Sequence, residues 1–361
     1  MPPASPTAWL NTLATATPDH DIHQAFIDWA TPRLTDERVR AIFARMTGRS
    51  GIDHRWSVLP PTPGGGSPVA PGGFYDVPGL PPTSVRMAAY AAHAPELALQ
   101  AIAKLGAALD PARVTHLVVA SCTGFVAPGI DQIIARRLGL AATVERVLIG
   151  FMGCYAGVTA LRNARHIARS EPDAVVLVVS VELSTLHLSL ADQPEPLLAM
   201  LQFSDGAAAG IVSAAAHGLA LGEGRSLALD DSADLIRWDI GDKGFEMQLS
   251  GEVPGRLRAA LGEPGVQAQL FGDDGPPSLL AVHAGGRSVL DAVEAALHVP
   301  PDALADSRAV LAAWGNMSSA TILFVLARMM ERDAQGDGIA IAFGPGLAAE
   351  AIRFTAPDQQ Q

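Results

Sequence analysis

The side chains best suited to chemistry in this sequence are Cys154, His283 and Asn316, which share one kind of setting. Cys154 lies in Gly153-Cys154-Tyr155-Ala156-Gly157, after the apolar run 147–152 and before an amphipathic stretch carrying Val158, Leu161 and Ile167. His283 opens His283-Ala284-Gly285-Gly286 after another apolar run, and Asn316 lies in Trp314-Gly315-Asn316-Met317-Ser318-Ser319. A thiol, an imidazole and a carboxamide supply a nucleophile, a base and a polar orienter. At a helix start, unpaired N–H groups and the positive end of the dipole favour thiolate over thiol, and the small neighbours let a substrate approach sulfur. A single cysteine in an apolar run is most often a core residue, and a single histidine is usually a satisfied polar group. The setting common to all three points to catalysis.

The elements that must position them follow from hydrophobic periodicity. Continuous apolar runs predict strands at 116–120, 147–151, 174–181, 279–282, 309–313 and 338–344. Helical patterns fall at 34–50, 84–109, from Pro128-Gly129 through Leu138, at 154–170, 288–297 and from Asn316 to about 332. Thr83 or Ser84 is placed to cap the 84–109 helix, and the Pro/Gly-rich segment 60–83 reads as a surface loop. Continuous apolar strands alternating with helices imply a mixed sheet covered on both faces. The second half repeats the order of the first. Cys154 and Asn316 then occupy equivalent strand-to-helix junctions, and His283 matches the region of Cys122. This pattern predicts an internal duplication, with halves 1–215 and 216–361 and the site where they meet.

Composition narrows the function classes. Of 361 residues, 17% are charged and 49% apolar, with mean hydropathy +0.24. That is a compact globule with apolar surface to spare for a subunit interface. A net charge of -12 argues against a general nucleic-acid role, which needs a basic face. Two cysteines argue against a disulfide framework and suit a reducing compartment. The opening Met-Pro-Pro-Ala-Ser-Pro lacks the features of a signal peptide, and no apolar run reaches the ~18 residues of a membrane span. A soluble, cytoplasmic protein is expected.

Five ordered motifs carry a family resemblance. They are Met152-Gly153-Cys154-Tyr155-Ala156-Gly157, Phe203-Ser204-Asp205-Gly206-Ala207-Ala208, His283-Ala284-Gly285-Gly286, Gly315-Asn316-Met317-Ser318-Ser319-Ala320 and Phe343-Gly344-Pro345-Gly346. With weaker matches from Leu13, they run to Phe354, nearly the whole chain. The chain thus resembles the type III polyketide synthases, chalcone synthase-like enzymes of the thiolase fold, in a bacterial-type form. The resemblance implies an α/β fold of duplicated α/β/α/β/α layers with mixed five-stranded sheets, and a homodimer. It implies iterative decarboxylative condensation of malonyl-CoA onto an acyl-CoA starter held on Cys154, then closure to a pyrone, resorcinol or phloroglucinol. His283 would help deprotonate Cys154. His283 and Asn316 would donate hydrogen bonds to the enolate left by CO2 loss. Coenzyme A thioesters are substrates, and no metal or redox cofactor is required.

Further residues follow from the same alignment. Phe203 matches one gating phenylalanine between the CoA tunnel and the cavity. Met247 stands where the family has the second, with Phe245 as an alternative after a local shift. Arg45 and Arg49 match the basic CoA-binding cluster, Arg55 is a further candidate, Ile42 replaces another basic member, and backbone near Ser288 approaches CoA. Cys122 falls among cavity-lining residues. Ala127 stands where plant members place a larger residue that reaches into the partner's cavity. A flexible Met247 and a small Ala127 lead to the expectation that medium or long aliphatic starters are accepted. The rival readings are a ketoacyl synthase III-like enzyme fed by acyl carrier protein, a papain-like cysteine hydrolase, and a non-catalytic scaffold. The Phe343–Gly346 loop and the Met317-Ser318 pair argue against the first, the flanking sequences against the second, and the intact triad against the third.

Overall fold

The computed structural model describes residues 6–191 and 193–357. All of the opening segment read for a targeting signal except Pro6 lies outside the described residues. The first half comprises strand β1 (Ala8–Ala16), the short pair β2 (His20–Asp21) and β3 (Trp56–Ser57), and helices α1 (His23–Ala30), α2 (Glu37–Thr47) and α3 (Thr83–Ala103). It continues through β4 (His116–Ser121), α4 (Ile130–Leu138), β5 (Glu145–Gly150), α5 (Ala156–Ser170), β6 (Val176–Leu183), α6 (Pro194–Met200) and β7 (Asp205–Ser213). The second half holds β8 (Leu219–Leu227), the hairpin β9 (Ile236–Gly241) and β10 (Gly244–Leu249), α7 (Val253–Gly262), α8 (Pro264–Phe271) and β11 (Leu279–Val282). Then come α9 (Arg287–Leu297), α10 (Ala305–Trp314), α11 (Thr321–Glu331), β12 (Gly336–Gly344) and β13 (Ala348–Ala356).

Nine strands form one sheet in the order β11-β12-β13-β8-β1-β7-β6-β4-β5. Pairing shows the duplication. In the first half β4 runs parallel to β6, β6 antiparallel to β7, and β7 antiparallel to β1. In the second half β11, β12, β13 and β8 repeat those relations. The halves join where β1 pairs with β8 over Ala8, Trp9 and Leu10.

Strand alternation then builds five layers. Val118, Ala120, Val176 and Val178 from one half, and Ala281, Ala340 and Ala342 from the other, pack on α5 and α11 in a shared central core. The intervening residues Leu117, Val119, Leu177 and Val179 face α3 and α4. Leu280, Val282, Ile339 and Ile341 face α7, α8 and α9. Helix α11 is apolar almost all round because sheet lies on both sides of it, and Ile322 through Ala327 are all buried.

Two expectations are corrected here. The run 309–313 is not a strand but part of α10, so the second half contributes four strands and the first five. The repeat has no counterpart of β5, and Asn316 follows a helix where Cys154 follows a strand. An apolar run of five residues fits either a buried strand or one face of a buried helix, and here Leu311 packs in the outer helical layer while Val310 belongs to the shared central core. The cap of α3 also differs. Pro82 occupies the N-cap position, and the Thr83 hydroxyl donates to the Gly241 carbonyl on the β9–β10 hairpin.

Candidate active site

Cys154 is set by a tight passage between β5 and α5. Phe151 and Gly153 both take positive φ, 57° and 80°. A Cβ on Gly153 would lie 2.4 Å from the Pro345 ring, so the turn that presents the thiol is pressed against the Phe343-Gly344-Pro345-Gly346 loop. The Gly153 amide donates to Cys122 Sγ at 3.0 Å. In α5, a Cβ on Gly157 would sit 2.2 Å from the Ser319 carbonyl oxygen. Only glycine therefore lets the helix after Cys154 touch the turn after Asn316.

His283 extends β11 by one residue, its amide donating to the Ile341 carbonyl at 2.8 Å. The side chain is buried, and neither ring nitrogen has a hydrogen-bond partner among the described residues. Asn316 is clamped by its backbone: its N–H donates to Gln202 O at 2.7 Å, and its carbonyl accepts from Ser204 N at 2.9 Å. Its Oδ1 accepts from Ser318 N at 2.8 Å and its Nδ2 donates to Gly285 O at 3.2 Å, which fixes the flip of the amide. The same side chain also hydrogen-bonds to the Cys154 sulfur. Ser318 holds a positive φ of 48° there. Such strain at a non-glycine residue clusters at functional sites.

Cys154, His283 and Asn316 line one cavity of about 400 Å3, together with Phe203, Met247, Ser288 and the α2 residues Ile42 and Met46. Two smaller spaces adjoin it. One of about 20 Å3 touches Cys154, Cys122, Ser318 and Trp238. The other, about 70 Å3, lies beyond Phe203. Met247 borders all three. Phe245 borders only the 70 Å3 space and stacks on His187 with centroids 4.2 Å apart, so Met247 is the partition and Phe245 is not.

Electrostatics correct the expected resting thiolate. Burial pushes the Cys154 thiol up to about 12, against hydrogen bonding from Ser318, and the buried Glu182 carboxylate raises it further. Burial likewise takes His283 down to about 3. Loss of water outweighs the helix-start effect, so burial favours the thiol and the neutral imidazole as the resting forms. Cys122 is likewise held as a thiol by burial and by Glu182. Glu182 accepts from the Cys122 amide, from the Thr123 hydroxyl at 2.8 Å and from the Ser319 hydroxyl.

The remaining residues divide. Arg45 and Arg49 are exposed on and just after α2, the helix whose Ile42 and Met46 line the large cavity, and Ser288 lines it directly. Arg55 is misplaced in the sequence reading. It is 2% exposed; Nη1 donates to the Met200 and Phe203 carbonyls, both at 2.9 Å, and Nε to His23 Nδ1 at 3.1 Å. A guanidinium buried behind Phe203 does not reach the phosphates of a ligand in the large cavity. Ala127 is exposed and lines none of the described cavities of its own chain. Sequence reasoning missed Trp238 and Glu182. Trp238 gave no motif. Glu182 gave a weak signal, a lone acid inside the otherwise uncharged stretch 174–190.

Comparison with known proteins decides the family. The profile for "Chalcone and stilbene synthases, N-terminal domain" matches residues 4–216, and that for the C-terminal domain matches 225–356. The chain belongs to the chalcone and stilbene synthase family. It is a type III polyketide synthase, an acyltransferase, and the ketoacyl synthase III alternative is not favoured. The "Alpha-pyrone synthesis polyketide synthase-like Pks18" of Mycobacterium tuberculosis is 31% identical over 98% of this chain and 93% of that protein. PKS-I from the brown alga Ectocarpus siliculosus superposes with a TM-score of 0.85 at 27% identity, covering 99% of this chain and all of that one. The C-terminal type III domain of Steely1 from Dictyostelium, at 24% identity and TM-score 0.84, shares the fold. Enzymes of this family use acyl-CoA substrates. Among the described residues no helix is long and apolar enough to cross a membrane.

Proposed function

We propose that Cys154, His283 and Asn316 carry out decarboxylative chain extension from coenzyme A thioesters. The observation that supports this best is the His283 ring, unpartnered among the described residues, in a cavity shared with Cys154 and with Asn316, whose side chain hydrogen-bonds to the Cys154 sulfur. A buried imidazole with two free nitrogens is costly unless a substrate completes it. In loading, the Cys154 Sγ–H proton passes to the basic nitrogen of His283 as the S–C bond forms. The coenzyme A sulfur leaves and takes that proton. Malonyl-CoA then loses CO2, and the enolate oxygen accepts from the His283 N–H and from Asn316 Nδ2. The enolate carbon attacks the acyl-Cys154 carbonyl, the C–S bond breaks, and the chain is two carbons longer. The freed Cys154 sulfur takes one proton from solvent, so each extension consumes one proton and releases CO2, and electrons balance without a metal or redox cofactor.

The mostly apolar wall at Phe203 and Met247 disfavours the malonyl carboxylate and favours its loss. Arg45 and Arg49 at the mouth suit coenzyme A phosphates. The 20 Å3 left beside Cys154 and Cys122 limits chain folding there, so we expect release as a lactone pyrone, the product class in the name of the mycobacterial relative. Phe125, Val147, Leu148 and Phe151 form an exposed apolar face around the edge strand β5 and Ala127. A second copy covering that edge would make the homodimer. Two buried free thiols suit a cytoplasmic setting. Incubation with malonyl-CoA and a panel of acyl-CoA starters, with products read by mass, tests the reading. Thioester hydrolysis without chain extension across the whole panel would overturn it.

A further inference from the structure

The 70 Å3 space beyond Phe203 holds an unusual set of idle donors. Three buried polar atoms have no partner among the described residues, and the residues that carry them all border it: Arg55 Nη2, Ser184 Oγ and Trp238 Nε1. The rest of Arg55 is committed to the Met200 and Phe203 carbonyls and to His23, which leaves Nη2. Asp21 and then Asp205 act on Arg55 electrostatically, but the Asp205 carboxylate is engaged elsewhere. Its oxygens accept from the Thr185 amide at 2.8 Å, the Thr185 hydroxyl at 2.7 Å and the Val58 amide at 2.9 Å. The remaining lining includes the apolar faces of Phe26, Phe203 and Phe245. Desolvating a guanidinium N–H, a hydroxyl and an indole N–H around one hollow and leaving them unpaired is a standing cost. It is relieved by a group that brings acceptor oxygens and no donors of its own.

Phe203 separates this space from the large cavity, and Trp238 separates it from the space beside Cys154. Phe203 and Trp238 meet edge to face at 5.9 Å, with Met247 bordering every compartment. A chain on Cys154 enters when the Met247 thioether swings aside, which a flexible side chain does at low cost. We propose that this hollow receives the far end of the starter acyl chain, and that the preferred starters carry an acceptor oxygen, such as a carboxylate, at that end. Arg55, Ser184 and Trp238 are then specificity residues for the tail. The proposal rests on the acyl-Cys154 reading above. It also revises the expectation of plain aliphatic starters: the end of the path is polar, and it has room for only the last few atoms of a chain.

The test is loading of Cys154, followed by intact-protein mass without malonyl-CoA so that extension is not required. Dicarboxylic mono-CoA thioesters from succinyl to suberyl are compared with straight-chain acyl-CoAs of equal carbon number and with the corresponding ω-methyl esters. The expected result is that at one or two lengths the ω-carboxyl member loads about tenfold faster or more than its alkyl match, the scale of one charge-assisted hydrogen bond. Methyl esters that share the advantage show that the oxygen is read; esters that lose it show that the charge is read. Ser184→Ala and Trp238→Phe, which keep the fold's packing and remove one donor each, should bring the carboxyl-to-alkyl ratio towards one. Arg55→Ala is not used because the other N–H groups of Arg55 hold the backbone at Met200 and Phe203. Alkyl starters equal or better at every length, or a preference unmoved in both variants, overturns the assignment while leaving the extension reaction intact. Failure of every thioester to load Cys154 overturns the acyl-thiol reading and this assignment with it.

Discussion

Replacing His283 with alanine tests the resting state of the thiol. With Cys154 pushed up to about 12, five pH units above neutrality (12 − 7 = 5), an unassisted sulfur is thiolate in roughly one molecule in 10⁵ at pH 7. The neutral imidazole, whose own protonation lies near 3, accepts the proton only as the thiol attacks. Such assistance is worth about 10²–10⁴ in rate. In the parent, the rate of Cys154 acylation or alkylation should show no tenfold-per-unit rise from pH 5 to 9, because neither group changes charge in that window; the one step expected lies near pH 7, where Glu182, pushed up to about 7 by burial, ionises and holds the thiol more firmly. In His283→Ala the rate at pH 7 should fall by about 10²–10⁴ and rise tenfold per pH unit, tracking the thiolate. Stopped-flow labelling with a Cys122→Ala background reads Cys154 alone. Thiolate absorbance near 240 nm should be absent from the resting enzyme at pH 7. A parent rate that climbs tenfold per pH unit would remove the base role from His283. A thiolate band at pH 7 that disappears in His283→Ala would show that a resting ion pair overcomes burial.

Three other outcomes are expected. Asn316→Ala should slow malonyl-CoA decarboxylation by about 10²–10³, the cost of one donor to a developing oxyanion, while Cys154 still loads; decarboxylation at the parental rate would refute the role. Cys154→Ala should abolish acyl-enzyme formation whereas Cys122→Ala retains turnover, and a stable adduct on Cys122 by peptide mapping would reverse the assignment. Met247→Phe puts a stiff ring on the boundary shared by all three cavities. It should depress kcat/KM more for longer starters than for acetyl-CoA, in steps bounded by about 0.8 kcal/mol per methylene; an unchanged starter profile would exclude Met247 as the partition.

Much of this was legible in the chain. The runs that became β4, β6 and β12 are continuously apolar because helices cover both faces. The glycine-flanked Cys154, His283 and Asn316 do converge on one cavity. The run 309–313 was ambiguous because periodicity over five residues does not separate a strand from a helix. Arg55 was misread because charge in sequence says nothing about burial, and its carbonyl partners at Met200 and Phe203 lie almost 150 residues away. The thiolate was misread because dipole and cap effects are local, whereas desolvation depends on everything packed around the sulfur. Trp238 sits in the polar stretch Arg237-Trp238-Asp239, and only the folded hairpin turns it towards Phe203 and His187.

The seam between β1 and β8 has a consequence for folding. Three residue pairs make a thin bond between two half-sheets. The halves are nevertheless locked, because α5 of the first packs on β13 and α11 of the second packs on β1. Each half thus lends a central helix to the cover of the other half's strands. A chain cut between β7 and β8 would leave both fragments with a greasy, uncovered surface, and they should recover structure only on being mixed. Heating the intact chain should melt both halves in one calorimetric transition, whose van't Hoff and calorimetric enthalpies agree. Because the nucleophile is anchored on one half and its two helpers on the other, the first slippage along that seam silences the chemistry before bulk secondary structure changes.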